Sequence, residues 1–171
     1  MDLSVKKEYY QTRIPPTAQR VFSGIIFDIY QWQQKVFDGS FATFEMAKKL
    51  DGVSVVAIKN GKIVMLHEEQ PLRDPYWATP GGHMERTDRS PFEAIARELL
   101  EETGMTFKSV KLVIVEFIGN TKLEWYAYRF VASDFVSQVA PRPEAGERIV
   151  IHEMTFDEAC KVSLHNPFAS Q

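Results

Sequence analysis

Three carboxylates stand in one short stretch, Glu98, Glu101 and Glu102, and Pro80-Gly81-Gly82 lies upstream of them. Residues three and four apart are neighbours on a helix, so the glutamates crowd one side of any helix formed there. Like charges at that spacing cost about 0.2–0.5 kcal/mol per pair. A helix C-terminal half disfavours negative charge further, and lysine would serve solubility better. Clustered carboxylates are what hard divalent cations such as Mg2+ prefer, and a cation turns the repulsion into attraction. The Gly81-Gly82 turn lets backbone come close to whatever binds.

The element that must carry the glutamates is a helix with a defined start and stop. Ser90 is a good N-cap, Pro91 suits the first helical position, and Glu93 completes a capping-box spacing. Gly104 can take the left-handed conformation that ends a helix. Phe92, Ile95, Ala96, Leu99 and Leu100 recur at helical spacing and predict the buried stripe.

The run Arg97-Glu98-Leu99-Leu100-Glu101-Glu102-Thr103-Gly104-Met105 resembles the second half of the Nudix hydrolase box. Gly81-Gly82-His83-Met84-Glu85 resembles the opening of that box. The middle departs from it: one extra residue stands between Gly82 and Arg97, and Asp88 or Arg89 takes the place of the first glutamate. Asp88 is the favoured occupant, being a shorter carboxylate that the extra residue can re-aim.

The resemblance implies a fold and a reaction. The fold is α+β, a Nudix-like α/β/α sandwich with a central mixed sheet and an N-terminal β-hairpin extension. The reaction is metal-dependent hydrolysis of the diphosphate in a nucleoside diphosphate-X compound, ADP-ribose or a nucleotide sugar first. A triphosphate pyrophosphatase and a weakly catalytic nucleotide-binding regulator are the alternatives. By motif match Glu98 and Glu102 are the main ligands of Mg2+ or Mn2+, Glu101 assists, and the Gly81 carbonyl adds a backbone oxygen. Arg97 orients the glutamates. The general base is Glu144 or Glu147, on the loop before the last strand, or Glu101 on the helix. Arg73 is a phosphate contact, and His83 a substrate contact or a surface residue. Trp77, like Tyr76, either stacks on a base or packs the core, with packing ahead.

Along the chain, residues 1–20 read as a polar arm and 21–50 as an N-terminal hairpin that pairs two subunits in a homodimer. Residues 51–171 read as the hydrolase domain. Residues 21–37 predict one long strand, the Asp38-Gly39 turn comes next, and 41–49 returns as the second strand. Gly52 to Lys59 and Lys62 to Glu69 form a hairpin around Asn60-Gly61. Gln70 to Thr79 reads as a loop. The Glu69-Gln70 pair with nearby Arg73 is similar to the ADP-ribose pyrophosphatase branch of the family. Strands are predicted at 109–117, 122–132 and 147–154, with a mobile loop over 135–146. Thr155 with Glu158 caps a last helix, and His165-Asn166-Pro167-Phe168 suggests no chemistry.

With 171 residues the chain suits one domain with a sizeable core. A net charge of −3 gives no footprint for duplex nucleic acid and is compatible with a small nucleotide. The single Cys160, read as a packing residue in a helix, excludes an internal disulfide and fits a reducing compartment. No apolar run approaches a membrane span of roughly 20 residues, and the start of the sequence lacks the apolar core of a signal peptide. The expectation is a cytoplasmic protein.

Overall fold

The computed structural model describes residues 12–164; residues 1–11 of the expected arm and His165-Asn166-Pro167-Phe168 lie outside them. Two compact units are present, one built from residues 1–51 and 115–127, the other from 52–114 and 128–171.

In the first unit, β1 (Gln19–Ser23), β2 (Phe27–Lys35), β3 (Phe41–Lys49) and β9 (Leu123–Glu124) form a sheet in the order β1-β2-β3-β9. The first three strands pair antiparallel and β9 joins β3 in parallel. The single strand expected over 21–37 is two. Gly24 donates its N–H to the Phe27 carbonyl at 2.8 Å and folds the chain back. The apolar run through Ile25 and Ile26 hid this turn. A carboxylate holds the unit's start: Glu124, with its side chain fully buried, accepts from Thr12 Oγ1 at 2.8 Å, Arg13 N at 2.7 Å and Lys48 Nζ at 2.8 Å.

In the second unit, β11 (Arg148–Met154), β5 (Lys62–Gln70), β4 (Gly52–Lys59), β10 (Tyr126–Gln138) and β8 (Met105–Phe117) form a sheet in that order. β6 (Arg73–Ala78) extends β5, and β7 (Gly81–His83) pairs with β4. Asn60 and Gly61 both have positive φ, 51° and 78°, the geometry of a two-residue hairpin turn. Helix α1 (Pro91–Glu98) packs on β4 and β7, and α2 (Phe156–Leu164) on β5, β6 and β11. Val55, Val64, Leu66, Ile95, Met105 and Phe130 are buried at the centre. Burying each such side chain contributes about 1.5–3 kcal/mol.

Three expectations change here. Residues 73–78 are a strand rather than part of a loop; Pro75 is tolerated because β6 pairs on one side only. Residues 135–138 continue β10, so the loop before β11 begins at 139. Cys160 is exposed on the outer side of α2 instead of packed.

The helix also differs from its expected form. Ser90 caps it through a hydrogen bond from Glu93 N, but Glu93 returns its carboxylate to Arg89 N at 2.7 Å. After Glu98 the chain widens into a π-helical turn, Leu99–Thr103, closed by Gly104 at φ 68°. The wider turn rotates the residues beyond it about the helix axis. Ala96 and Leu100 face solvent, while Ala94, Glu102 and Thr103 are buried; Ala94 and Ala96 precede the wider turn, so it bears only on the residues after Glu98.

Candidate active site

β4 and the helix set the floor of the site. Val55 N donates to the Pro80 carbonyl at 2.9 Å, and β7 pairs with β4 through Gly81↔Ser54 and Gly82↔Val53. A Cβ on Gly81 would stand 2.2 Å from the Val53 carbonyl oxygen, and one on Gly82 would stand 2.5 Å from Glu98 Oε1. Both glycines are required by close approach, Gly81 to backbone and Gly82 to a carboxylate. Gly81 N donates to Glu102 Oε2 at 2.8 Å. Glu98 and Glu102 thus converge on the Gly-Gly turn.

Arg97 ties the rest together. Its Nη1 reaches Glu98 Oε1 at 3.1 Å and Glu101 Oε2 at 3.0 Å. Its Nη2 donates to Asp88 Oδ2 and to the His83 carbonyl, both at 3.0 Å. Asp88 also accepts from Glu85 N at 2.7 Å, and its side chain is 8% exposed. Arg89 points away, 88% exposed and paired with Glu93. Asp88, not Arg89, faces the glutamate cluster. His83 contributes its carbonyl here, and its residue is exposed.

The electrostatics are those of carboxylates short of positive charge. Burial pushes Glu98 up to about 7, against the pull of Arg97. Burial, with Glu68, Glu98 and Glu147 nearby, pushes Glu102 up to about 9 although Gly81 N opposes it. Asp88 is held below the usual range, because its bonds to Arg97 and Glu85 N outweigh the cost of burial.

Two further acids lie toward the start of β11. Glu147 accepts from Gln70 Nε2 at 3.0 Å, and burial with the charges of Glu68 and Glu144 raises its pKa. It borders a cavity of about 350 Å³ shared with Glu69, Pro71 and Arg148. Glu144 is exposed, and its carbonyl accepts from Glu147 N at 3.0 Å. The loop between β10 and β11 is fastened to the π turn, Arg142 N donating to the Glu101 carbonyl at 2.7 Å.

Arg73 and Trp77 lie on β6. The Arg73 guanidinium lies 3.4 Å from the Tyr76 ring centroid, and Tyr76 donates its hydroxyl to Glu68. Trp77 is engaged by His67 at 4.9 Å and His152 at 4.8 Å between centroids, the packing role rather than an open stacking face. Glu68 is the site residue that sequence reasoning passed over. Its signal was parity: it shares the inward parity of Val64 and Leu66, where a charge is out of place.

A divalent cation fits this donor set. Hard oxygens are what such cations take, and the buried Glu102 and the half-buried Glu98 beside the Gly81-Gly82 backbone need a compensating charge. Among the described residues no group of three acidic, His or Cys side chains is already placed to hold a metal ion. Glu101 is held by Arg97 and would have to turn from it to join Glu98 and Glu102.

Comparison with known proteins places the chain in a family. Residues 48–170 match the NUDIX domain family. The ADP-ribose pyrophosphatase of Bacillus subtilis (strain 168) is 26% identical over 147 residues, covering 84% of this chain and 79% of that protein. A crystal structure of an ADP compounds hydrolase aligns with a TM-score of 0.64 at 16% identity, over 88% of this chain and 81% of the other. A NUDIX hydrolase from Nitrosomonas europaea aligns at 0.57 and 22% identity, over 69% and 80%. The chain belongs to the Nudix family and is a hydrolase of it. Within the family it resembles the ADP-ribose pyrophosphatase branch.

Proposed function

We propose that this hydrolase cleaves the diphosphate linkage of a nucleoside diphosphate-X compound, with ADP-ribose or a nucleotide sugar as substrate. The observation that carries the reading is the convergence of Glu98 and Glu102 on the Gly81-Gly82 turn. The curated relative supports the choice of substrate.

In this reading Glu98, Glu102 and the Gly81 carbonyl would hold Mg2+ or Mn2+, with Glu101 joining once it leaves Arg97. Such an ion, when bound, would neutralise the diphosphate and make water a better nucleophile. Arg97 keeps the glutamates apart and aimed through charge-assisted hydrogen bonds. Arg73 holds the diphosphate from the other side. Glu147 takes the proton of the attacking water: it is half-buried, its pKa is raised, and Gln70 fixes its orientation. Glu144 is too exposed for that role, and Glu101 is taken up by Arg97 or, once released, by the metal. Water adds to one phosphorus, the P–O–P bond breaks, and two phosphate monoesters leave.

Two copies of the chain would pair through the first unit, where Val21, Phe22, Ile25 and Phe27 are exposed. Duplex nucleic acid and membrane are not partners in this reading. Among the described residues no helix is long and apolar enough to cross a membrane.

The test is a substrate panel of ADP-ribose, ADP-glucose, UDP-glucose, diadenosine polyphosphates and triphosphates. Each is run with Mg2+, with Mn2+ and with chelator, and monoester products are revealed by a phosphatase. Metal-dependent release of two monophosphates from a diphosphate sugar is expected. Cleavage confined to triphosphates would sink the substrate assignment.

A further inference from the structure

The end of β5 carries a buried pair, Glu68 and Tyr76, beside Arg73, and the hydrolytic steps above give that pair no role of its own. Glu68 is 4% exposed and sits directly opposite Tyr76 in the β5–β6 register. A buried carboxylate is rare unless paired, and an apolar pair of the same shape would stabilise the sheet as well. Here the carboxylate accepts from one hydroxyl and also lies within electrostatic reach of Arg73. Tyr76 donates to Glu68, and the other side of the phenol is its ring, on which the Arg73 guanidinium lies at 3.4 Å. Burial and the neighbouring carboxylate keep the phenol protonated.

The arrangement has a local cost. The turn before Arg73 holds Leu72 at φ 65°, where a non-glycine residue is strained, and leaves it fully exposed. A register shift between Glu68 and Gln70 re-aims the end of β5, so that Gln70 reaches Glu147. Strain and a bulge together at one hairpin end are what a site that aims side chains shows.

We infer that Glu68 and Tyr76 are positioning residues that hold the Arg73 guanidinium flat and ready for the substrate's diphosphate. The inference rests on the proposed hydrolase function. A carboxylate on the phenol hydroxyl makes the ring face more negative, which strengthens its hold on a cation. A guanidinium fixed before binding loses less rotamer freedom when phosphate arrives.

The experiment compares Arg73→Ala, Tyr76→Leu and Tyr76→Phe/Glu68→Leu with the unaltered protein. It uses steady-state kinetics on ADP-ribose, calorimetric binding of ADP-ribose in chelator, and melting temperatures. Losing the platform should raise KM about tenfold in Tyr76→Leu, with most of the loss in KM rather than kcat. The double variant of Arg73→Ala with Tyr76→Leu should be no worse than Arg73→Ala alone. Tyr76→Phe/Glu68→Leu removes the buried charge and its hydrogen bond together, so it should melt at or above the unaltered protein and still show KM raised about threefold. That combination separates positioning from packing. Normal KM in both Tyr76 variants, beside a raised KM in Arg73→Ala, would overturn the inference and leave the proposed function intact. Additive effects in the double variant would overturn it also. If the unaltered protein neither binds nor cleaves any nucleoside diphosphate compound, both fall.

Discussion

Glu98 occupies the space that a side chain on Gly82 would need: a Cβ there would stand 2.5 Å from Glu98 Oε1. The obstacle is the tip of a movable side chain, so Gly82→Ala should fold. It should push the carboxylate aside and cost about 10²-fold in kcat/KM, the scale for a misplacement of about 1 Å. Gly81→Ala meets the Val53 backbone and has no such escape. A folded but weakened Gly82→Ala beside a poorly folded Gly81→Ala is the expected pair of outcomes, read by melting curves and kinetics.

Glu98→Gln and Glu102→Gln should each lower turnover by at least about 10²-fold, the upper end for groups that only support a metal ligand. The fold should survive both, because the amide keeps the shape. Near-normal rates in either variant would remove that glutamate from the metal site.

The same two residues predict how stability depends on pH. A folded carboxyl whose pKa is raised binds protons more tightly than the unfolded chain, so its contribution is greatest in acid and falls as pH rises. For Glu98 the window runs from 4.5 to about 7, and for Glu102 from 4.5 to about 9. Metal-free protein should therefore lose melting temperature across this range, apart from other groups. A divalent cation should restore more of it at pH 8 than at pH 6, since binding displaces those protons. A cation effect independent of pH would contradict the assignment.

Asp88 and Arg89 should separate cleanly. Asp88→Ala frees Arg97 to press on Glu98 and Glu101, and should weaken metal affinity about 10–100-fold, as loss of an outer partner does. Arg89→Ala, on the surface, should stay within about 0.5 kcal/mol in stability and keep its rate. Metal titrations of the two variants decide it.

Glu124 tests the first unit by itself. Its carboxylate answers three donors, one of them Lys48, which keeps a third of its side chain exposed. Glu124→Ala should cost about 2–4 kcal/mol, less than a fully buried pair because water still reaches Lys48. Its folded pKa is depressed by Lys48, Arg13 N and Thr12 despite burial. The stabilisation should therefore be complete near neutrality and be lost in acid as pH falls below 4.5 toward the folded value. Chemical denaturation at pH 7 and pH 3 measures both effects.

Much of the site was legible in the order of residues. Arg97 through Met105 picked out the glutamates that the structure brings to the Gly81-Gly82 turn, and Ser90 marked the helix start where the structure has it. What the order could not show is the π turn, since a periodicity of 3.6 cannot register one wider turn inside a helix. Leu100 was assigned to the core with Ala96 and lies 44% exposed, on the face that Ala96 already turns to solvent before the wider turn begins. β6 was missed because Pro75 reads as a breaker, although an edge strand accepts it. Tyr76, Glu68 and Gln70 come together across strands, a proximity that no local spacing encodes.

The Asn60-Gly61 turn is at the opposite end of β5 from all of this chemistry, yet it indexes the whole strand. It fixes Lys59 against Lys62 and Ile58 against Ile63. Side chains alternate with a period of two, so moving β5 by one residue would turn Glu68 outward and bring Glu69 inward. A single inserted residue at that turn would erase the platform under Arg73 without touching any residue of the site. In a scan of insertions along the chain this remote corner should prove intolerant.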